Sequence, residues 1–431
     1  MKWDDELQIN NAEEIQAYID SGRDINAQDD VGGTLLIYAS ANYNNYDIVC
    51  LLLDNGADVN IKDIDGSSAL MIAASVGVNP DIVRELINAG ADVNDADEDG
   101  SSALIYAIIG GDPEILSLLI EAGADVNTTD KNGITPLMYA ADRSSDPAII
   151  TVLLQAGADV TVTQDGDSLL MTALLNNDNP DVIRLFLNDG SELNQKNEDG
   201  ITMMMYAVAH CSNPDVVSML IENGGDVNTK DNAGGSLLMY AAVYNNNPDV
   251  LQVLINAGAE VDAVDEDGKT PLMWAVANSE SPEIIKVLMD NGADFEVTGE
   301  DGESLLVTAV INNENPEIVR ALLTEGFDAD ARNDDEMSVL MFAAANNENP
   351  QIIDVLIEDG ADIDAVDEDG ITALMYAAAN NDNPEVVRRL IENGANTSVK
   401  DNEGKTALMY AQEREDALPE IVDILKKTKL F

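Results

Sequence analysis

The sequence predicts an all-α repeat solenoid: stacked helix-turn-helix pairs with projecting β-hairpin fingers. Three observations carry this. A turn glycine recurs at Gly32, Gly66, Gly100, Gly133, Gly166, Gly200, Gly234, Gly268, Gly302, Gly370 and Gly404, with Glu336 where one more is due. The twelve units are 34 residues apart, except for two steps of 33. A fixed period in this range marks units that bury their apolar faces only against one another. Eleven of the thirteen prolines recur at one place in the unit, usually behind Asn or Asp. After such a proline, Val386, Val387, Leu390 and Ile391 share one helical face.

Residues 1–28 read as an N-terminal capping half-repeat. Asn11 to Gln28 matches the back half of the unit, with Gly22 where Gly394 stands later. Asn10 or Asn11 can cap its helix, and Glu13 and Glu14 suit the positive helix end. Residues 29–400 hold eleven units of common design. An Asp-x-x-Gly turn precedes a short first helix that begins at Thr or Ser, as at Thr135 or Thr372. Pro136 and Pro271 occupy the first helical position, where no amide donor is needed. An Asn-rich turn then leads into a second helix such as Pro384 to Asn393. Gly394 or Gly157 suits the left-handed residue that ends it. Gly-Ala-Asp-Val-Asn makes an extended excursion to the next turn. Residues 401–431 read as a C-terminal capping repeat. Gln412, Glu413, Arg414 and Glu415 are polar where other units are small and apolar, and Leu418 replaces the Asn before Pro419. Lys426, Lys427 and Lys429 suit the negative end of the last helix.

The string Asp-x-x-Gly-x-Thr-Pro-Leu-x-x-Ala-Ala, a proline-started amphipathic helix and Leu-x-x-Gly-Ala-Asp-Val-Asn together resemble the ankyrin repeat, over nearly the whole chain. The resemblance implies an L-shaped stack whose hairpins and first helices form a concave surface, which in this family usually binds proteins. The chain departs from the family pattern in three ways. The histidine of Thr-Pro-Leu-His is replaced by Met71, Met138, Met171, Met205, Met239, Met273, Met341, Met375 and Met409. A polar tie is thus expected to give way to apolar packing. The turn between helices is a residue longer in most units. Units five and nine lack the turn-opening Asp, carrying Thr163 and Gly299 instead, with Ser168 to Thr172 and Ser304 to Thr308 after it. A local change in curvature is expected there.

Apolar residues make up 45% of the 431, enough for a continuous core. The formal charge is -61, from 82 acidic and 21 basic residues. No basic stripe exists to neutralise phosphates, so nucleic acid is disfavoured, and an anionic membrane would repel the chain. Basic proteins and metal cations are the compatible partners, and the charge also favours solubility. Cys50 and Cys211 lie five units apart. At roughly 8–10 Å per packed helix they are too distant to be bridged, and they read as ordinary buried thiols. The N-terminal stretch has no apolar signal core, and no run approaches the roughly 18 apolar residues of a membrane span. A cytoplasmic location is the default expectation, with an extracellular one left open.

An aromatic file occupies one slot of the first helix: Tyr38, Tyr106, Tyr139, Tyr206, Tyr240, Trp274, Phe342, Tyr376 and Tyr410. It is expected to be an inter-repeat packing column, with an aromatic-lined groove as the functional alternative. The acidic finger tips Glu98, Asp99, Glu198, Asp199, Glu266, Asp267, Glu300, Asp301, Glu368 and Asp369 are the candidate partner-binding residues. Stacked units would line their carboxylates along one edge. Asp95, Asp97 and Asp99 match the first half of an EF-hand loop and are the candidate calcium ligands. Tyr106, however, stands where that loop needs a bidentate Glu. Catalysis finds no support: His210 is the lone histidine, and no phosphate loop, Gly-x-Ser-x-Gly or His-Glu-x-x-His occurs. The expected function is a non-enzymatic scaffold that binds a basic protein through its acidic concave and finger face. The alternatives are a calcium-stabilised structural or filament component, and an acidic inhibitor or immunity-type protein of a basic enzyme.

Overall fold

The computed structural model describes residues 9–77, 79–164, 167–187, 190–297, 303–414 and 418–428. The chain forms two compact bodies, residues 1–189 and 190–431. The first begins with the helix Ala12–Asp20 and continues in helix pairs, from Leu35–Ser40 with Tyr46–Asp54 to Leu169–Asn176 with Pro180–Phe186. The second begins with the 3-10 turn Ser191–Asn194. Its pairs run from Met203–His210 with Pro214–Glu222 to Ala407–Glu413 with Pro419–Thr428. Within each body, first helices pack on first helices and second helices on second helices. All-α repeat solenoid is therefore the observed class.

Most helices start where the sequence provides a cap. Asn11 Oδ1 accepts the amides of Glu13 and Glu14. Asn383 Oδ1 accepts the amide of Glu385, with Pro384 at the first helical position. Val386, Val387 and Leu390 are buried, whereas Ile391 is only half-buried at the margin of that face. Cys211 is buried, but Cys50 is half-buried, contrary to expectation. Cys50 follows the fully buried Val49, one position round from the packed face.

Methionine does more than pack. The N-cap hydroxyl of Thr135 accepts the amide of Met138, and the sulfur of Met138 reaches back to the amide of Thr135. Met71, Met205, Met239, Met273 and Met341 repeat this, with N···S distances across the six units of 3.3–3.5 Å. The expectation of purely apolar replacement is corrected. The thioether is a weak acceptor, yet it satisfies an amide that the helix leaves open.

The longer Asn-rich turn has a structural reason. Asn347 is buried and donates to the carbonyls of Val310 and Asn313 in the preceding unit, while its Oδ1 accepts the amide of Asn349. Asn245, Asn313 and Asn381 make the same bonds. The cap asparagines Asn179, Asn247, Asn315, Asn349 and Asn383 also donate to a carbonyl one unit back, at 2.6–2.8 Å. In the last unit Arg414 takes over: it donates to the Asn381 carbonyl and pairs with Asp382.

The fingers differ from the expected hairpins. Most are tight turns closed by one antiparallel bridge, such as Lys62 with Ser68 or Val366 with Thr372. Only the finger of unit five, among the described residues, extends to a two-stranded ladder, Thr163–Gln164 with Asp167–Ser168. Successive tips are instead zipped by main chain. The amides of Ile64, Glu98 and Lys131 donate to Val31, Asp65 and Asp99, and those of Asn232, Glu266 and Asn402 donate to Asp199, Ala233 and Asp369, all at 2.9–3.0 Å. The turn glycine permits this approach. A Cβ on Gly66 would lie 2.7 Å from the amide nitrogen of Glu98, and Gly66 has φ +81°. Glu336, at φ 61°, is the one non-glycine residue with positive φ among those described. The tip bond that follows it, Glu368 to Asp335, is the longest of the set at 3.3 Å.

Two outcomes follow for urea unfolding of the full chain. Asn347→Ala strips buried carbonyls and an amide of their partner and should destabilise the second body by about 3 kcal/mol. Glu336→Gly removes a strained left-handed residue and should stabilise it by about 1 kcal/mol.

Candidate functional site

The finger turn is organised by its opening aspartate. Asp97 Oδ1 accepts the amides of Asp99 and Ser101, and its Oδ2 accepts the hydroxyl of Tyr106 at 2.6 Å. The pairing recurs nine residues apart in Asp29–Tyr38, Asp130–Tyr139, Asp231–Tyr240, Asp367–Tyr376 and Asp401–Tyr410, and the indole of Trp274 donates to Asp265 in the same way. In seven units the slot is thus a brace that ties the first helix to its own finger. The ring contacts of the second body, Tyr240–Tyr244 and Phe295–Phe327, are not between members of the file. A packing column alone does not describe it. Part of the signal was available in the repeats: where Thr163 and Gly299 replace Asp, Thr172 and Thr308 replace the aromatic, although Asn197 keeps Tyr206 and Asp63 is matched by Ile72.

The braces perturb the phenols. The hydrogen bond to Asp29, then burial, pushes Tyr38 up to about 12. Burial first, then the bonds to Asp97 and Asp401, pushes Tyr106 and Tyr410 up to about 12. Tyr240 and Tyr376 are raised further for the same reasons.

Of the predicted tip residues, Glu98, Asp99, Glu198, Asp199, Glu266, Asp267, Glu368 and Asp369 are exposed. Glu300 and Asp301 lie outside the described residues. The main chain at these tips belongs to the zipper, so the side chains are presented from a fixed backbone. Basic side chains at the finger necks turn inward: Lys62, Lys196 and Lys230 donate to the Ala96, Lys230 and Val264 carbonyls of the next unit.

Asp95, Asp97 and Asp99, the candidate calcium ligands, are placed in three different settings. Asp95 pairs with Lys62, Asp97 is engaged by its own turn and Tyr106, and Asp99 is an exposed tip. Among the described residues no three His, Cys, Asp or Glu side chains are grouped to hold a metal ion. His210 ends its helix and is exposed. Among the described residues no helix is long and apolar enough to cross a membrane.

Sequence reasoning missed one feature. In the second body Tyr240, Tyr244, Trp274, Met239 and Val243 line an open cleft of ≈ 200 Å³, together with Asp231 and Asp265. Tyr244 lies outside the aromatic file and is 62% exposed. Its ring centroid is 6.1 Å from that of Tyr240. Tyr244 follows Tyr240 by one helical turn, which is the one hint its sequence position offers.

Comparison with known proteins agrees with the fold. The family model described as ankyrin repeats in three copies matches residues 70–164, 137–231, 204–299, 238–333, 277–367 and 340–429. A second, for many copies, matches residues 17–73. Among solved structures the chain is similar to the human ASB11 ankyrin repeat domain, at 25% identity and a TM-score of 0.44, over 53% of this chain and 99% of that one. No curated protein sequence matches significantly.

The braces have a pH signature. A phenol held above its usual value near 10 contributes stability that is fully present below about pH 10 and is lost as pH rises through about 12. Tyr106→Phe should therefore destabilise the first body at pH 8 by about 1 kcal/mol, the typical net value of one hydrogen bond. The gap to the unsubstituted protein should close between about pH 10 and 12 in urea unfolding.

Proposed function

The chain belongs to the ankyrin-repeat family, whose members are in general non-enzymatic protein-interaction scaffolds, and we propose that this one binds a basic protein through its acidic finger edge and the adjoining first helices. One observation carries the reading: an exposed carboxylate pair recurs at the finger tips of units three, six, eight and eleven, on a backbone zipped to its neighbours. Fixed spacing lets the charges act together on a partner surface, and like charge keeps acidic partners away. The formal charge of -61 extends the same preference over the molecule. Lys62, Lys196 and Lys230 at the necks are bonded to main-chain carbonyls of the next unit rather than to the tip carboxylates.

A pull-down from native lysate at low and high salt isolates the partner, and its affinity is then measured directly. It should fall steeply with salt. Replacing Glu198, Asp199, Glu266, Asp267, Glu368 and Asp369 by Ser should weaken it at least about tenfold, given the scale of interfacial charge effects. An affinity that stays the same in this variant would sink the reading.

A further inference from the structure

We propose that the cleft over Tyr240 and Tyr244 receives one lysine or arginine side chain of the partner, the cationic head lying on the aromatic rings beside the carboxylates of Asp231 and Asp265. This deepens the basic-partner reading and rests on it.

The chain supplies its own precedent for the occupant. Lys269 Nζ lies 5.6 Å from the ring centroid of Trp274, and Lys405 Nζ lies 5.7 Å from that of Tyr410. Both lysines stand four residues after their turn-opening aspartate, with the backbone amide bonded to that carboxylate at 2.8 Å. Gly235 holds the equivalent place after Asp231, with the same amide bond at 2.7 Å. The same amide bond recurs in the three units, but in unit seven no side chain arises to cover the ring. The open cleft lies there.

The lining selects a cation. An aromatic face attracts an ammonium or guanidinium within about 6 Å of its centroid, more strongly as water is excluded. Asp231 and Asp265 accept hydrogen bonds from Tyr240 and Trp274. An apolar occupant would cover two carboxylates without compensating them, and an anionic one would be repelled. Tyr and Trp in a concave setting are also the residues in which binding energy tends to concentrate.

The test uses the full chain and a labelled peptide of alternating Arg and Gly, with citrulline in place of Arg as the uncharged control, followed by fluorescence polarisation at low salt. The Arg peptide should bind and the citrulline peptide should not. Tyr244→Ala removes an exposed ring, and Gly235→Lys places a cation at the cleft while its Cβ, 2.6 Å from Asp231 Oδ2, displaces that carboxylate. Each should weaken the Arg peptide about tenfold, the scale of a desolvated cation–π contact. Tyr43→Ala, an exposed tyrosine of the first unit, should leave affinity unchanged, and circular dichroism checks that all variants fold. Failure of the unsubstituted protein to bind the Arg peptide would overturn the basic-partner reading itself. Salt-sensitive binding that is equal in Tyr244→Ala and Gly235→Lys would overturn the cleft alone, as would equal binding of the citrulline peptide.

Discussion

The stacking of these units rests above all on the side-chain amide of asparagine reaching a main-chain carbonyl in a neighbouring unit. Helix pairs pack through apolar faces, but the turns between them carry carbonyls that the next unit covers. A buried carbonyl needs a donor. Asn347 donates to two of them and accepts an amide of its own turn. At the finger necks Asn60, Asn94, Asn127, Asn194 and Asn228 again do both: each accepts the next unit's amide and donates to a carbonyl. Asp262, Asp330 and Asp364 keep only the accepting half. An asparagine carries both groups on one short arm, which is why it recurs.

This arrangement separates the scaffold from the surface. Main-chain bonds zip the tips, aspartate holds each turn, and an aromatic braces that aspartate to its helix. None of these uses the side chains of Glu98, Asp99, Glu266, Asp267, Glu368 or Asp369. Their charge can therefore serve recognition without altering the frame that presents it. The cost is mutual repulsion among like charges, which salt relieves.

The aromatic slot shows how one position serves two ends. Its polar atom fixes the finger, and its ring remains half-buried at the mouth of the first-helix surface. Lysines of the chain cover that ring in units eight and twelve. In unit seven the cover is missing, and a structural brace becomes a surface on which a partner can act.

The repeat, the helix starts and stops, the capping role of Asn11 and the family were all determined by the sequence. They rest on local chemistry: proline without an amide donor, glycine at positive φ, and apolar residues at helical spacing. Tertiary structure alone decided what the polar residues between those marks are for. Methionine as an amide acceptor, the inter-unit asparagine ladders, the brace from Tyr106 to Asp97 and the pairing of Asp95 with Lys62 each depend on a partner across a turn or in a neighbouring unit. Their periodicity is visible in a single chain, but their direction is not. A hydrogen bond between units depends on how closely their backbones approach, and that distance is set by the packing of helices and by glycines such as Gly66 that let one finger lie against the next.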